Sequence, residues 1–154
     1  MVEIREAHVS DARQCSEVIC SSIRELCTAD HNGDEQLILK WIANKTEENL
    51  QKWILDESTK FFVAKFKEKI RGVGAISLPD EVALNYVSPK FRYKGISRAM
   101  LVVLENTLIE SGCLKGLLTS TITAHEFYQA SGWTDVKKVH SWPGLDAHVM
   151  EKWL

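Results

Sequence analysis

Hydrophobic residues change their spacing several times along the first third of the chain, and each spacing predicts a different element. The alternating run VEIREAH predicts a short strand, and apolar residues at helical spacing between Ala12 and Leu26 predict a helix with Ser10 as its N-cap. The polar segment CTADHNGDE, residues 27–35, interrupts this pattern. Two further helical patterns cover residues 37–42 and the residues that follow Thr46, so we expect one strand followed by three helices.

Strand-like runs dominate the middle of the chain. Three of them, KFFVAKF, IRGVGAISL and EVALNYV, are rich in β-branched and aromatic residues and predict consecutive antiparallel strands. From Gly95 the hydrophobic period changes from that of a strand to that of a helix, which predicts a long helix ending at Gly112. The next run, LKGLLTSTI, predicts a strand parallel to the third one, because a strand–helix–strand connection crosses over within one sheet.

The last third of the chain predicts one short helix and two strands. The helix covers TAHEFYQAS, with Thr123 and Glu126 as a capping box at its start and Gly132 after its end. WTDVKKVHS and HVMEKWL predict the strands, on either side of the turn WPGLDA. Because strands and helices alternate without repeats, linkers or low-complexity segments, residues 1–154 predict a single domain of the α/β class with a mixed sheet.

Composition and charge exclude several classes of partner. The chain has 154 residues and a formal net charge of -2, so no basic surface is available for nucleic acid or for anionic membranes. Its N-terminus lacks the pattern of a signal peptide, and no apolar run approaches the roughly 20 residues that span a bilayer. The four cysteines lack metal-type spacing and predict reduced thiols. We expect a soluble, cytoplasmic protein without disulfides.

A short basic turn opens the long helix. The stretch YVSPKFRYKGISRAM, residues 86–100, places four cationic side chains around Gly95. A helix N-terminus carries unpaired N–H groups and partial positive charge, so such a turn is a candidate phosphate site. The turn is equally compatible with an ordinary strand-to-helix connection whose cations are solvated. Neither G-x-G-x-x-G nor G-x-x-x-x-G-K-[ST] is present, which argues against dinucleotide and nucleoside-triphosphate loops.

The turn resembles the acyl-CoA pyrophosphate loop of the GNAT acetyltransferase superfamily. That loop reads [RQ]-x-x-G-x-[GA] after a strand ending in V-x-P, and this chain has Val87-Ser88-Pro89 followed by Arg92-Tyr93-Lys94-Gly95-Ile96-Ser97. The departure is Ser97, where the family mostly has glycine or alanine. A second motif of the family, A-x-x-F-Y-x-x-x-G-[FW], is matched by Ala124, Phe127, Tyr128, Gly132 and Trp133. The two motifs occur in the family's order.

The resemblance implies a GNAT-like fold and a co-substrate. The expected fold has a central mixed, mostly antiparallel sheet flanked by helices, with a splayed parallel strand pair. Acetyl-CoA is the implied co-substrate, with the main-chain N–H of Asn85 toward the acetyl carbonyl and the main chain of Val87 paired with pantetheine. Thr121 stands where the family usually has asparagine. The implied cofactor-binding residues are Asn85, Val87, Arg92, Tyr93, Lys94, Gly95, Ile96, Ser97, Arg98 and Thr121.

Two side chains are implied to carry the chemistry. Glu81 occupies the position where many members have a glutamate that deprotonates the incoming ammonium, directly or through water. Tyr128 matches the general acid whose hydroxyl faces the CoA sulfur. From the residues alone, Glu81 is also compatible with a solvated turn glutamate, and Tyr128 with a core residue of its helix. With Glu81 and Tyr128 in these implied roles, the acetyl group is expected to pass directly from CoA to the amine, without a covalent enzyme intermediate.

The acceptor is the least defined part of the prediction. In the family, the segment that here contains Cys27, Asp30 and His31 covers the acceptor pocket, and the acceptor is expected to be a primary amine on a small molecule or a peptide. We assign no metal, because three mixed ligands in one loop are more often caps and turn residues. His125 and the histidines near the C-terminus are interpreted as surface or packing residues.

Alternatives to an enzyme remain at this point. A non-catalytic acyl-CoA-binding regulatory domain would keep the basic turn and dispense with Glu81 and Tyr128. An interaction domain with the same fold would bind no CoA at all. The sequence leaves the oligomeric state open, a homodimer included.

Overall fold

A seven-stranded sheet with the order β1-β2-β3-β4-β5-β7-β6 runs through the computed structural model, which describes residues 2–141 and 143–154. The strands are β1 Glu3–Glu6, β2 Thr59–Phe66, β3 Lys69–Ser77, β4 Glu81–Val87, β5 Lys115–Ser120, β6 Thr134–Ser141 and β7 Leu145–Trp153. The helices are α1 Ala12–Leu26, α2 Thr28–His31, α3 Glu35–Ile42, α4 Glu47–Leu55, α5 Ile96–Glu110 and α6 His125–Ala130. Neighbouring strands are antiparallel except β4 and β5, which are parallel.

The predicted element order is confirmed. The three mid-chain runs form the antiparallel strands β2, β3 and β4, and β5 returns parallel to β4 after α5. The helix expected after Thr46 is α4, and Thr46 caps it, with its hydroxyl oxygen accepting the Asn49 N–H at 3.1 Å. Within the predicted turn WPGLDA, Trp142 lies outside the described residues, and β7 already begins at Leu145.

Two predictions near the N-terminus are wrong. Ser10 does not cap α1, because Val9–Asp11 forms a 3-10 turn that runs directly into the helix. The Asp11 carboxylate instead holds this entry, since it accepts the His8 N–H at 2.7 Å and two guanidinium N–H groups of Arg5 at 2.8 and 3.1 Å. The polar segment 27–35 is also not a plain loop, because it contains the one-turn helix α2.

Each face of the sheet buries its own hydrophobic core. The first core joins α1, α3 and α4 to the sheet, and its fully buried members include Ile19, Ile23, Leu50, Val63 and Val73. The second core joins α5 and α6 to the opposite face, and its fully buried members include Ile76, Met100, Leu104, Leu108 and Met150. Burial of apolar area on both faces is the main stabilising contribution in a sheet covered by helices.

Two glycines of β3 let α5 lie close against the sheet. A Cβ atom added at Gly74 would lie 2.6 Å from Cγ of Met100, and one added at Gly72 would lie 2.8 Å from Cγ2 of Ile96. Both distances are shorter than any ordinary contact between carbon atoms. The helix and the strand therefore approach each other in the space that two side chains would occupy.

The parallel pair separates soon after it begins. Only Glu81 and Val82 of β4 pair with β5, opposite Leu117 and Leu118. Ala83 is an extra residue in the β3–β4 ladder, because Ala75 pairs with Leu84 whereas Ile76 pairs with Val82. The predicted splayed pair is thus confirmed, and it leaves a cleft beside residues 83–87. No helix of the described ranges, 2–141 and 143–154, has the length and apolar character needed to cross a membrane.

Candidate active site

A cavity of about 630 Å³ opens where β4 and β5 part. Its wall is built from the end of β4, the turn before α5, the start of α5, and the segment that leads from β5 into α6. The end of α1 closes it on one side. The lining residues are Ser22, Leu26, Cys27, Asn85, Tyr86, Val87, Phe91, Arg92, Tyr93, Gly95, Ile96, Ser97, Arg98, Thr121, Thr123, Ala124, Glu126, Phe127 and Tyr128.

The turn before α5 has the features of an anion site. Gly95 is the N-cap residue of α5 with φ +82°, and a Cβ atom added there would have nothing within 4 Å. Arg92, Lys94 and Arg98 are exposed around it, and none of them forms an ion pair within residues 2–141 and 143–154. Free helix N–H groups, open space and unneutralised cations fit the phosphates of a CoA thioester.

Tyr93 gives this turn an unusual conformation. Its φ of +65° is uncommon for a residue with a large side chain. Its ring is 89% exposed, and the Arg92 guanidinium carbon lies 4.7 Å from the ring centroid. A flat aromatic surface therefore stands beside the cationic groups at the opening of the cavity.

Tyr128 belongs to the core and to the cavity at once. Its ring is buried and packs edge-on against Phe127 and Trp133, at centroid distances of 5.1 and 6.3 Å. Burial raises the pKa of its hydroxyl to about 12, and the nearby Asn85 side chain opposes that increase. The hydroxyl is therefore protonated at neutral pH, as a proton donor must be.

The N-terminus of α6, the helix that carries Tyr128, is not capped in the way that the sequence predicts. Ala124 is the N-cap residue of α6, so the predicted capping box of Thr123 and Glu126 is wrong. The Thr121 hydroxyl oxygen accepts the Ala124 N–H at 3.0 Å. Thr121 thus lines the cavity and also fixes the start of α6.

Sequence reasoning placed Asp30 in the segment that covers the acceptor pocket but missed the contact that Asp30 makes. Its carboxylate accepts the Ile122 N–H at 2.7 Å, the Thr123 N–H at 3.2 Å and the Thr123 hydroxyl at 2.5 Å. The contact ties α2 to the segment between β5 and α6, across 92 and 93 positions of sequence. No local pattern signals it, because a turn aspartate and a turn threonine each look complete within their own segment.

Asn85 has one satisfied and one unsatisfied side-chain atom. Its Nδ2 donates to the Ser97 carbonyl oxygen at 3.1 Å, which joins β4 to the first turn of α5. Its Oδ1 is buried and has no hydrogen-bond partner in the described part of the chain. Because Asn85 lines the cavity, a ligand with an N–H or O–H group could satisfy this atom.

The thiol in the cavity wall is chemically inert. Cys27 is buried, and burial together with the nearby Asp30 raises the pKa of its thiol to about 12. Since the thiolate is the nucleophilic form, Cys27 is not suited to carry an acyl group. His31 is likewise occupied, because its Nε2 lies 2.8 Å from the Ile23 carbonyl oxygen and its Nδ1 accepts the Gly33 N–H at 3.0 Å.

Glu81 and Lys94 do not reach the cavity wall. Glu81 lies where β4 and β5 are still paired, opposite Ser77 and Leu117, and the residue as a whole is exposed. Partial burial of its carboxyl and the adjacent Asp80 raise its pKa, the direction that a base for an amine requires. All the other predicted site residues line the cavity.

The histidines interpreted from the sequence as surface or packing residues have partners that the sequence does not reveal. His125 Nε2 lies 2.7 Å from Oδ1 of Asp135, and its ring stacks on that of His148. His140 Nδ1 lies 3.0 Å from Oδ1 of Asp146. None of these side chains lines the cavity.

Comparison with known proteins identifies a family. The family model described as an acetyltransferase (GNAT) domain matches residues 27–154. No curated protein sequence matches the chain.

Solved structures share the whole fold at low sequence identity. A GCN5-related N-acetyltransferase from Rhodopseudomonas palustris is 20% identical with a TM-score of 0.89, covering 99% of this chain and 95% of that one. The PaiA N-acetyltransferase of Thermoplasma acidophilum, solved with coenzyme A, is 21% identical with a TM-score of 0.82, covering 100% and 99%. The Escherichia coli N-acetyltransferase for alanine of ribosomal protein S18 is 17% identical with a TM-score of 0.72, covering 99% and 94%.

Proposed function

The chain belongs to the GNAT acetyltransferase family, and on that basis we propose that it transfers the acetyl group of acetyl-CoA directly to a primary amine. One observation carries the proposal. The turn at the N-terminus of α5, with Arg92 and Arg98, and the residue Tyr128 line the same cavity, so one extended thioester could contact both.

The cavity offers each part of such a ligand a matching group. The α5 N–H groups, Arg92 and Arg98 suit the phosphates, because charge-assisted hydrogen bonds to phosphate are strong. Residues 85–87 line the cavity, and their main chain is proposed to bind the pantetheine arm and, through the Asn85 N–H, the acetyl oxygen. The buried Oδ1 of Asn85 offers one further acceptor to an N–H group of the ligand.

The transfer needs three proton movements. The neutral amine nitrogen forms a bond to the acetyl carbon as the carbon–sulfur bond breaks, and Tyr128 gives its proton to the departing sulfur. The proton that the acylated nitrogen then loses to become the amide restores the Tyr128 hydroxyl. The amine must first lose a proton, which we assign to Glu81 through water because Glu81 lies outside the cavity wall. Cys27 takes no part, since its pKa keeps it protonated.

An amine is the proposed acceptor, on a small molecule or a peptide. The E. coli neighbour acts on the alanine of a ribosomal protein, which is consistent with an amine and does not identify the one used here. We propose the cytoplasm as the location and no nucleic-acid partner, in agreement with the net charge of -2.

The test combines binding and turnover. Acetyl-CoA should raise the melting temperature saturably, because a ligand that binds only the folded state stabilises it. Gly95→Glu should abolish this rise by placing a carboxylate beside the phosphates. Gly112→Glu is the matched control, since Gly112 has φ +88° and open space like Gly95 but lies at the other end of α5.

The outcomes separate the proposal from its alternatives. CoA release with a panel of primary amines supports the transferase. A melting shift without turnover on any amine class would favour a non-catalytic acyl-CoA-binding domain. Absence of a shift with both acetyl-CoA and CoA would favour an interaction domain and would refute the proposed co-substrate.

A further inference from the structure

Three potential metal ligands converge behind α6, outside the cavity. His125 lies on α6, Asp135 on β6 and His148 on β7, and their ligand atoms all lie within 4.8 Å of one another. His125 Nε2 is 2.7 Å from Oδ1 of Asp135. The His125 and His148 rings are stacked, with centroids 3.7 Å apart and planes at 4°.

The cluster combines one carboxylate with two imidazoles. Each of these groups has a lone pair that can bind a metal ion, and the three groups come from three different elements. A single dication can take one lone pair from each of them at the same time.

We propose that His125, Asp135 and His148 bind one divalent cation of the zinc type. Two imidazole nitrogens and one carboxylate oxygen suit Zn²⁺ and its neighbours among the transition metals, whereas Mg²⁺ and Ca²⁺ prefer oxygen ligands. Binding requires the two rings to turn out of their parallel stack, because each nitrogen lone pair lies in its ring plane. The barrier is small, since rotation about the bond to an imidazole ring is soft.

The surroundings allow an ion to enter. The His125 and Asp135 side chains are 19% and 45% exposed. Lys138 lies opposite His148 in the β6–β7 ladder and brings a positive charge to the face of the hairpin on which His148 lies. Asp146, two residues before His148 on β7, lies on the same side of the strand and brings a negative charge that offsets it.

The proposed site would link α6, which lines the cavity, to β6 and β7 behind it. The cation would fasten the first turn of α6, the helix that carries Tyr128, to the β6–β7 hairpin. The proposal does not depend on acetyl transfer, and its test uses binding and stability alone.

The experiment titrates Zn²⁺ into tag-free, metal-free protein at pH 7.5, with calorimetry and thermal unfolding as readouts. We expect one saturable site, and at a hundredfold excess over Kd a rise in melting temperature of about 5 to 10 °C. His148→Gln and His125→Gln should each weaken Zn²⁺ binding at least tenfold, because each substitution removes one contact to the ion. Mg²⁺ should produce no comparable shift.

His140→Gln provides the matched control. His140 is also a hairpin histidine paired with an aspartate, but that pair lacks a second imidazole. This variant should bind Zn²⁺ like the wild type. Absence of saturable Zn²⁺ binding up to 100 µM would overturn the proposal. Equal Zn²⁺ affinity in wild type and His148→Gln would also overturn it, because the ion would then be bound elsewhere, for example by the thiols. If His125→Gln does not fold, Asp135→Asn replaces it.

Discussion

Replacing Asp30 should loosen the connection between α2 and the segment before α6. Asp30→Ala removes a charged acceptor of three hydrogen bonds, to the Ile122 N–H, the Thr123 N–H and the Thr123 hydroxyl. Hydrogen bonds to charged groups contribute about 1.5–3 kcal/mol each, but the exposed Ile122 N–H can turn to water once the carboxylate is gone. We therefore expect a total loss of about 2–3 kcal/mol, which is about 5–10 °C in melting temperature for a domain of this size.

Urea unfolding followed by tryptophan fluorescence measures this loss. Asp30→Asn keeps one side-chain oxygen for the backbone N–H groups and should lose about half as much. Asp34→Ala is the control for removing a nearby aspartate. Because Asp34 only caps α3, this substitution should lower the free energy of unfolding by about 1 kcal/mol. A loss below about 0.5 kcal/mol for Asp30→Ala, or equal losses for Asp30→Ala and Asp34→Ala, would show that the three contacts do not stabilise the fold as argued.

Three further substitutions test the proton donors and acceptors. Tyr128→Phe keeps the packed ring, and we expect kcat to fall by about 10² to 10⁴ while acetyl-CoA affinity changes little; a kcat within about threefold of wild type in steady-state kinetics would return Tyr128 to a packing role. Glu81→Gln should lower turnover most at low pH and less at high pH, where more of the amine is already neutral; unchanged turnover across a pH series would remove Glu81 from the mechanism. Asp11→Asn should destabilise the protein at pH 7, because the hydrogen bonds from Arg5 and then that from His8 hold the pKa of Asp11 below its usual value. Its contribution is complete above the unfolded pKa of about 3.9 and is lost as pH falls through the folded pKa, so urea unfolding should show wild type and Asp11→Asn converging below about pH 4.

The fold was predictable because its signals are local. Alternation defined the meander of β2, β3 and β4, and the change of period at Gly95 marked α5. The two short motifs that contain Gly95 and Tyr128 predicted residues of the cavity wall. Each motif is local, since it consists of one turn and the helix beside it. The start of α4 after Thr46 was predictable for the same reason, because the cap and its partner Asn49 are only three residues apart.

The remaining features depend on contacts between distant segments. Thr123 reads as a helix cap from its neighbours, but its hydroxyl donates to Asp30, which comes much earlier in the chain. The stacked pair of His125 and His148 also requires the hairpin to fold back on α6. Such pairings follow from the tertiary arrangement, and a single sequence contains no periodic signal for them.

The bare stretch of β3 beneath α5 makes the cavity sensitive to positions that never touch a ligand. Gly72 and Gly74 face Ile96 and Met100, the residues through which the first turns of α5 rest on the sheet. An added methyl group at either glycine would act as a wedge, and the helix would transmit the displacement to the Gly95 turn at its end. The dimensions of the anion site therefore depend partly on the lack of side chains at Gly72 and Gly74 of β3. A substitution at either glycine would change the affinity for the ligand without changing a residue that contacts it.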